Sequence, residues 1–402
     1  MSAHEPTRPQ VGRVRMEQAL PGGDLWSSVP APVAPTAVVD LDAFDANLAA
    51  MVARAQGRPL RLASKSVRCR ALIDRALQSP GFSGVLAYSA AEAAWLVSWG
   101  VRDVVIGYPT VDTETIAAVA GSPSVAEQVT FMVDLPEHVA MLAAAAGTTP
   151  LRVCIDVDAS LRIGRLHLGV HRSSVHTEAE VCRLARTIAN TPGVRLVGLM
   201  FYEAQVAGVP DSSRVVRAMK QRSLAQLLPR RVAIARAVAA ISPLEFVNGG
   251  GTGSIAVTRR DPSVTEIAAG SGLFTPTLFD SYDDSGLTPA AYFVSPVVRK
   301  PSPSVAVTFA GGYVASGPAS KSRVPRPVHP EGLSYFGQEG AGEVQTPLRG
   351  PDARSLRVGD PVWFRYAKAG EMCERFDELL LVRNGAVVQR VPTYRGEGHS
   401  FG

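Results

Sequence analysis

The sequence predicts an α/β protein in which a (β/α)8 barrel is followed by a smaller, mostly β C-terminal domain. Apolar segments of strand length alternate with segments of helical periodicity between residues 36 and 290. Short β-rich segments, separated by clusters of Pro, Gly and Ser, follow from residue 291. The glycine-rich loop comes late in the chain, whereas an open doubly wound sheet needs it after the first strand. A closed barrel is therefore favoured.

Eight apolar segments predict the barrel strands, at residues 60–63, 84–88, 103–107, 129–133, 151–157, 194–201, 244–248 and 266–269. Helical segments lie between them, at residues 90–98, 112–120, 136–146, 177–189 and 213–241. An earlier helix is indicated by Phe44, Leu48, Met51 and Val52, which share one helical face. The strand predicted before it, at residues 37–40, has no obvious place in the barrel and is a candidate member of the second domain.

These segments divide the chain into four parts. We expect an irregular lead-in at residues 1–35, the barrel at 36–290, the β-rich domain at 291–390 and a tail at 391–402, whose last residues, GEGHSFG, should be mobile. In the second domain, residues 306–309, 361–366 and 378–382 are predicted strands. Residues 383–385 are a predicted hairpin turn.

Composition favours a globular enzyme and disfavours several other classes. Apolar residues make up 46% and charged residues 19% of the chain, far from the composition of disordered proteins. The net charge of +5 is spread along the chain, so no nucleic-acid partner is indicated. The four cysteines form no CxxC pair, which suits free thiols in a reducing compartment. Without a signal-like N-terminus or an apolar run of about 18 residues, we expect a cytoplasmic protein with no membrane partner.

Lys65 is the first candidate catalytic residue. It follows the predicted strand at residues 60–63, in the stretch LRLASKSVRCR. The chain has five lysines against 36 arginines. A lysine at the end of a strand in such a chain indicates a need for an amine that can lose its proton, because lysine can form a Schiff base and arginine cannot. The alternative is a lysine that caps the strand in solvent.

Two loops of small residues follow the last predicted barrel strands. The stretch FVNGGGTGS, at residues 246–254, places successive backbone N–H groups and two hydroxyl groups together, as an anion-binding loop does. The stretch AGSGL, at residues 269–273, is a second such turn. In (β/α)8 barrels the loops after strands 7 and 8 often bind phosphate. Tight turns without a ligand are the alternative, and neither Walker A nor GxGxxG is matched.

This arrangement resembles the alanine-racemase-like, type III pyridoxal-phosphate enzymes, and within them the D-threonine aldolase and D-serine dehydratase branch. The resemblance covers residues 36–385, and its specific parts are RLASK, ending at Lys65, and VNGGGTGS. Weaker matches are TAVVDLDAFDANLAAM, EAAWLVSWGVRDVVIGYP, LVGLMFYEAQ and EIAAGSGLF. The resemblance implies a TIM barrel of the alanine-racemase N-terminal type, with pyridoxal 5'-phosphate as the cofactor.

The resemblance also implies roles for individual residues. Lys65 would bind the cofactor as a Schiff base, and Tyr202 would lie beside it. The arginine near the ring oxygen of the cofactor should lie in VDASLRIGRLHLGV, where we favour Arg165 over Arg162. The phosphate would be bound by Gly250, Gly251, Thr252, Gly253, Gly270 and Ser271.

The sequence departs from this branch at two places. Ala63 stands where a histidine often precedes the active lysine. Members of the branch bind a divalent metal in the C-terminal domain, and here Lys368 and Gly370 fall at the two ligand positions, although neither is a suitable ligand. Either the metal site is absent or it uses other residues, the candidates being Glu371, Cys373, Glu374 and Glu343. Lys368 is then a candidate catalytic residue that supplies a positive charge without a metal.

The resulting prediction is a pyridoxal-phosphate lyase that cleaves or dehydrates a D-amino acid or β-hydroxy amino acid through Lys65. The alternatives are an amino-acid racemase on the same fold, a non-catalytic carrier of the cofactor, and a barrel enzyme with a phosphorylated substrate. Carriers of this type usually lack the second β domain, which favours catalysis. The partner would be a small amino-acid substrate, and the two-domain relatives imply a homodimer.

Overall fold

The computed structural model describes residues 25–211, 213–283 and 286–402. Most of the predicted lead-in, residues 1–24, lies outside the described residues. The strands are β1 (Thr36–Asp40), β2 (Leu60–Ala63), β3 (Phe82–Ala87), β4 (Val104–Ile106), β5 (Val129–Val133), β6 (Leu151–Asp156), β7 (Leu161–Ile163), β8 (Leu166–Leu168), β9 (Val194–Phe201), β10 (Phe246–Gly249), β11 (Glu266–Ala269), β12 (Ala291–Ser302), β13 (Val305–Phe309), β14 (Arg326–His329), β15 (Ser334–Tyr335), β16 (Gln345–Arg349), β17 (Pro361–Arg365), β18 (Glu378–Arg383) and β19 (Ala386–Pro392).

The helices alternate with the strands in the first part of the chain. They are α1 (Leu41–Ala55), α2 (Arg70–Leu77), α3 (Ala90–Ser98), α4 (Thr113–Ala120), α5 (Pro123–Ala126), α6 (Pro136–Ala145), α7 (Glu178–Ala189), α8 (Ala204–Ala207), α9 (Arg214–Ala239) and α10 (Ile255–Thr258). Side-chain caps fix several of their starts: Thr177 begins α7 with a capping box to Glu180. Within the described part of the chain, no helix is long and apolar enough to cross a membrane.

Eight parallel strands close into a barrel, in the order β2-β3-β4-β5-β6-β9-β10-β11, with β11 pairing back to β2. The predicted barrel is therefore confirmed. Strands β4 and β5 are buried along their whole length, because side chains fill the barrel on one face and helices cover the other. Such strands are continuous apolar runs, and this is why the sequence predicts them well.

A small hairpin interrupts the barrel between β6 and α7, and the sequence analysis did not predict it. Strands β7 and β8 pair antiparallel, with Leu161 opposite Leu168. Gly164 allows the tight turn, because its φ of +56° lies in the left-handed region. This hairpin occupies the stretch in which the sequence analysis sought the arginine beside the cofactor.

The second sheet has nine strands and includes β1. Strand β1 lies between β12, to which it is antiparallel, and β18, to which it is parallel. Its middle residues, Ala37, Val38 and Val39, are fully buried. Strand β1, the first strand among the described residues, therefore forms an interior part of a sheet whose other strands come from residues beyond 290.

An arginine crosses the interior of the barrel and is fully paired there. Arg61 on β2 donates two hydrogen bonds to the Glu266 carboxylate, at 2.6 and 2.7 Å, and one to the Asp103 carboxylate at 2.8 Å. Gly84 leaves the space for this guanidinium, because a Cβ atom there would overlap it. Asn248 donates a further hydrogen bond to Glu266 at 2.7 Å. Burial of these charges is tolerated because each one has a partner.

We predict that Arg61→Met lowers the free energy of unfolding by about 3–5 kcal/mol, because it leaves the buried Glu266 carboxylate without its cation. Arg195→Met is the control, since Arg195 is half-exposed and pairs with Glu245 at the surface. That change should cost about 0–1 kcal/mol. Denaturant unfolding followed by circular dichroism measures both, and equal losses in the two variants would contradict the prediction.

Candidate active site

A cavity of about 400 Å³ lies at the carboxyl ends of the barrel strands, between the barrel and the second sheet. The residues that follow β2, β4, β6, β9, β10 and β11 line it, together with residues from the segment after β17. Its polar lining includes Lys65, Tyr108, Asp156, Arg172, Tyr202, Asn248, Thr252, Ser271, Lys368 and Glu371. The loops of a (β/α)8 barrel converge at this end, where active sites of such barrels are found.

Lys65 stands in a 3-10 turn, Ser64–Ser66, directly after β2, where the sequence analysis placed it. Its Nζ is 2.6 Å from the Tyr108 hydroxyl, which follows β4. Burial raises the pKa of Tyr108. The charge and hydrogen bond of Lys65 and the charge of Arg172 lower it by more, so the pKa lies below its usual value. Tyr108 was not singled out from the sequence, because nothing local marks a tyrosine that meets a lysine 43 residues away.

Besides Arg68, the cavity lining contains Arg172, and not Arg165. The Arg172 guanidinium lies 5.8 Å from the ring centroid of Tyr108 and 5.9 Å from that of Tyr202. Arg165 stands at the turn of the β7–β8 hairpin and does not line the cavity, while Arg162 donates to Asp158 at 2.6 Å. Arg172 follows the β7–β8 hairpin, whereas Arg162 and Arg165 lie within it. The spacing of arginines in the sequence did not indicate which of them reaches the cavity.

A buried carboxyl group lies beside this arginine. Asp156 ends β6 and lines the cavity. Burial raises its pKa to about 7, with a further upward contribution from Asp134 and an opposing one from Arg172. A carboxyl group that titrates near neutral pH can hold or release a proton in the cavity. The sequence analysis missed it, because its environment comes from several strands.

The two small-residue loops meet at one end of the cavity. Gly250, Gly251, Thr252, Gly270 and Ser271 line the cavity. The hydroxyl of Thr252 accepts a hydrogen bond from the Gly272 N–H at 3.2 Å, which joins the loops. Gly253 lies in the same loop but does not line the cavity; a Cβ atom there would overlap the Ala207 carbonyl oxygen.

Close packing leaves little room for side chains in these loops. Gly250 has a φ of +84°, a left-handed conformation that disfavours other residues. A Cβ atom at Gly270 would lie 2.7 Å from the Ala63 carbonyl oxygen, just before the Lys65 turn. The Ser66 and Ser271 hydroxyl oxygens are 3.0 Å apart and join the second loop to that turn.

A fully buried carboxylate accepts a hydrogen bond from the backbone of the first glycine loop. Glu203, after β9, accepts hydrogen bonds from the Gly250 N–H at 3.0 Å and from the Thr258 hydroxyl at 2.6 Å. Arg231 on α9 donates to the same carboxylate at 3.0 Å and to Asp261 at 2.8 Å. Glu203 and Arg231 have no exposed side-chain surface. This buried network fixes the backbone of the glycine loop.

The segment after β17 also lines the cavity, through residues 368–371. Lys368 donates a hydrogen bond to the Ser316 hydroxyl at 2.6 Å and lies 3.3 Å from the Glu371 carboxylate. Ser316 donates its hydroxyl and its backbone N–H to Glu371, at 2.6 and 2.8 Å. Burial raises the pKa of Glu371, but the bonds from Ser316 and the charge of Lys368 outweigh it and lower the pKa overall.

The donors in this segment do not fit a metal ion. A side chain at position 370 would overlap the Lys65 carbonyl oxygen, which leaves room for glycine alone. Cys373 is buried, Glu374 pairs with Arg68 at 2.7 Å, and Glu343 is exposed away from the cavity lining. In residues 25–211, 213–283 and 286–402, no three His, Cys, Asp or Glu side chains lie close enough to bind a metal together.

The end of the chain packs behind the Lys65 turn, although we expected it to be mobile. Tyr394 donates its N–H to the Arg68 carbonyl oxygen at 2.9 Å and its hydroxyl to Glu92 at 2.9 Å. His399 and Phe401 pack on Trp95 of α3. Glu92 is fully buried, and burial raises its pKa to about 7. The final residues thus support the turn that carries Lys65.

Comparisons with known proteins agree with this arrangement. The model of the alanine racemase N-terminal domain matches residues 39–276. The 3-hydroxy-D-aspartate aldolase of Paracoccus denitrificans (strain Pd 1222) is 27% identical over 260 residues, which are 64% of this chain and 63% of that protein. The D-threonine aldolase of an Arthrobacter species is 28% identical over 290 residues, 69% of this chain and 71% of that protein.

Solved structures share the whole two-part fold. A D-threonine aldolase from Filomicrobium marinum has a TM-score of 0.76 at 24% identity, covering 90% of this chain and 95% of that one. A D-threo-3-hydroxyaspartate dehydratase from Delftia sp. HT23 has a TM-score of 0.72 at 20% identity, covering 89% and 97%. At these identities the likeness establishes the fold.

We predict that Glu92 makes the protein less stable as the pH rises from about 4.5 to about 7. Its pKa is about 7 in the folded protein and 4.5 ordinarily, so the unfolded chain releases the proton first and stability falls across this window. Denaturant unfolding at several pH values should give a smaller slope for Glu92→Gln. Glu378→Gln, at an exposed carboxylate, is the control and should keep the wild-type slope. Identical slopes in both variants would refute the assignment.

Proposed function

The chain belongs to the alanine racemase N-terminal domain family, and on that premise we propose that it is a lyase that acts on a β-hydroxy-D-amino acid. Enzymes of this family depend on pyridoxal 5'-phosphate. The observation that carries the proposal is the position of Lys65, at the end of the first barrel strand and in one cavity with both glycine loops. The named relatives are aldolases and a dehydratase, which favours a lyase.

The residues of the cavity fit this cofactor. Its aldehyde requires a lysine amine, which Lys65 offers. Its phosphate requires a tight loop whose backbone can approach it closely, and in these two loops a Cβ atom at Gly250, Gly251 or Gly270 would lie within 3 Å of another residue. Tyr202 lines the cavity between Lys65 and the first loop, beside Arg172. We infer that Lys65 binds the cofactor covalently and that these loops hold its phosphate.

The cofactor, when bound, withdraws electrons from the α-carbon of an amino acid. The chain's own residues supply binding and proton transfer. Arg172 offers a fixed cation next to Tyr108 and Asp156, whose shifted pKa values place exchangeable protons inside the cavity. We infer that the amine of Lys65, whose Nζ is 2.6 Å from the Tyr108 hydroxyl, takes the proton from the α-carbon of the substrate.

The proposed substrate class follows from the substrates that appear in the names of the related enzymes. Those named above act on D-threonine or on 3-hydroxy-D-aspartate, and both compounds are D-amino acids with a hydroxyl group on the β-carbon. The alignment with the Paracoccus aldolase spans 63% of that protein's length. We propose a β-hydroxy-D-amino acid as the substrate, cleaved without the metal that the segment after β17 does not fit. The homodimer and the cytoplasmic location expected from the sequence stay predictions.

A racemase is the second candidate. The observation in its favour is the contact of Lys65 with Tyr108, since two acid–base groups in one cavity can add and remove a proton at the α-carbon. The products distinguish the two functions, because a racemase returns the enantiomer whereas a lyase releases an aldehyde or an oxo acid.

We predict that Lys65→Ala loses the absorbance band near ~420 nm that lysine-bound pyridoxal phosphate gives, and that its lyase activity falls by about 10³-fold or more. In the wild type, borohydride followed by peptide mass spectrometry should find the cofactor on Lys65. Lys300→Ala, whose lysine binds the Ala353 carbonyl oxygen in the second sheet, is the control. Adding D-threonine, D-serine and D-alanine to the wild type separates an enzyme from a carrier. A wild-type protein with no band would refute the cofactor assignment.

We also predict that Glu203→Gln weakens binding of pyridoxal phosphate by about tenfold, or ~1.4 kcal/mol, because Arg231 loses its anionic partner and the glycine loop loses its support. Titration of the cofactor-free protein, followed by absorbance, measures the affinity. Glu245→Gln is the control, since that carboxylate pairs with Arg152 and Arg195 far from the loops. A Glu203→Gln protein of normal melting temperature and unchanged affinity would show that the network does not position the loop.

A further inference from the structure

The segment after β17 carries, in the cavity lining, an acid–base pair that has no role in the steps above. Lys368 and Glu371 both line the cavity, and their side chains are about one-third and one-quarter exposed. Ser316, which does not line the cavity, holds both of them: it accepts from Lys368 and donates twice to Glu371. An ammonium has three N–H donors, and two of them point to Ser316 and Glu371. The third can bind an oxygen atom of a ligand.

The pair is also fixed relative to Lys65. Gly370 lies between Lys368 and Glu371 in the chain, and its backbone packs directly against the Lys65 carbonyl oxygen. The 3-10 segment Gly370–Arg375 therefore cannot move without moving the turn that carries Lys65. A substrate bound at Lys65 therefore shares one cavity with the ammonium of Lys368 and the carboxylate of Glu371.

We propose that Lys368 and Glu371 act together on the β-oxygen of the substrate: Lys368 binds that oxygen, and Glu371 takes its proton. This inference rests on the proposed lyase function. The pair does the two tasks that cleavage of a β-hydroxy amino acid needs, which are to stabilise negative charge on the oxygen and to accept a proton. The ammonium supplies its charge without any coordination site, in a segment whose donors do not fit a metal ion.

The proposed step balances. The O–H bond of the β-hydroxyl breaks and its proton moves to a Glu371 carboxylate oxygen. The O–H electron pair becomes the second bond of an aldehyde as the Cα–Cβ bond breaks, and the electron pair of that bond stays with the α-carbon. The α-carbon then takes up a proton, so the products are glycine and an aldehyde, with no oxidant or reductant consumed.

The alternative is that the pair only anchors Ser316 to the segment after β17. The two roles differ for a substrate that has no β-oxygen. Exchange of an α-proton of glycine in D2O uses the cofactor and Lys65 but not the β-oxygen. A base that serves the β-oxygen is thus required for cleavage and dispensable for exchange.

The test uses the full chain loaded with pyridoxal phosphate and treated with EDTA. Cleavage of D-threonine and of D-threo-3-hydroxyaspartate is followed by the aldehyde formed, and exchange by the glycine NMR signal. We expect Glu371→Gln and Lys368→Met to lower kcat for cleavage by about 10²-fold or more, with exchange changed by less than about threefold. Lys368→Arg should recover part of the cleavage, and Glu378→Gln, at an exposed carboxylate of β18, should change neither reaction.

Several results would overturn the inference. Glu371→Gln could cleave at the wild-type rate, or it could lose cleavage and exchange equally while keeping the cofactor band, which would indicate a structural role. A wild-type protein that exchanges glycine but cleaves only after a divalent metal is added would assign the β-oxygen to a metal. A wild-type protein that neither cleaves nor exchanges would instead overturn the proposed function itself.

Discussion

The contact between the backbone of Gly370 and the carbonyl oxygen of Lys65 organises the active end of this molecule. It joins the segment after β17 to the first turn of the barrel with no side chain between them. The barrel by itself would leave Lys65 at an open rim, as the loops of such barrels do. With the second sheet in contact, Lys65 faces a cavity that is lined both by the glycine loops and by Lys368 and Glu371. The same contact explains why a liganding side chain is absent at position 370.

Buried charged groups occur twice in the barrel, although removing an ion from water is costly. Arg61 with Glu266, and Arg231 with Glu203 and Asp261, are removed from water, yet each carboxylate has a guanidinium and further hydrogen-bond donors. Such pairs contribute little net stability, but removing one partner is expensive. Their effect is therefore on specificity, because only the arrangement of strand ends that pairs these charges avoids the cost of an unpaired buried ion. The Glu203 carboxylate in particular accepts the Gly250 N–H group and so fixes the orientation of that peptide.

The sequence predicted the parts of this structure that depend on local pattern. The apolar runs of β4 and β5 and the helical face of α1 follow from periodicity, and Lys65 and the glycine loops follow from residue type at strand ends. Tyr108, Asp156 and Glu203 were missed because their chemistry comes from partners distant in sequence, such as Lys65 and Arg231. Arg172 was missed for a different reason, since it lies beyond the β7–β8 hairpin, two residues past the stretch VDASLRIGRLHLGV.

The place of β1 in the second sheet has a consequence for how the chain is made. Residues 36–40 are synthesised before both of their neighbours in the sheet, because β12 and β18 begin at residues 291 and 378. Strand β1 therefore has no strand to pair with until the more than two hundred residues of the barrel that separate it from β12 have been synthesised. Chains generally fold domain by domain during synthesis, and pairings between distant segments form late. Of the strands in residues 25–211, 213–283 and 286–402, β1 is thus the first in sequence and among the last to complete its pairing.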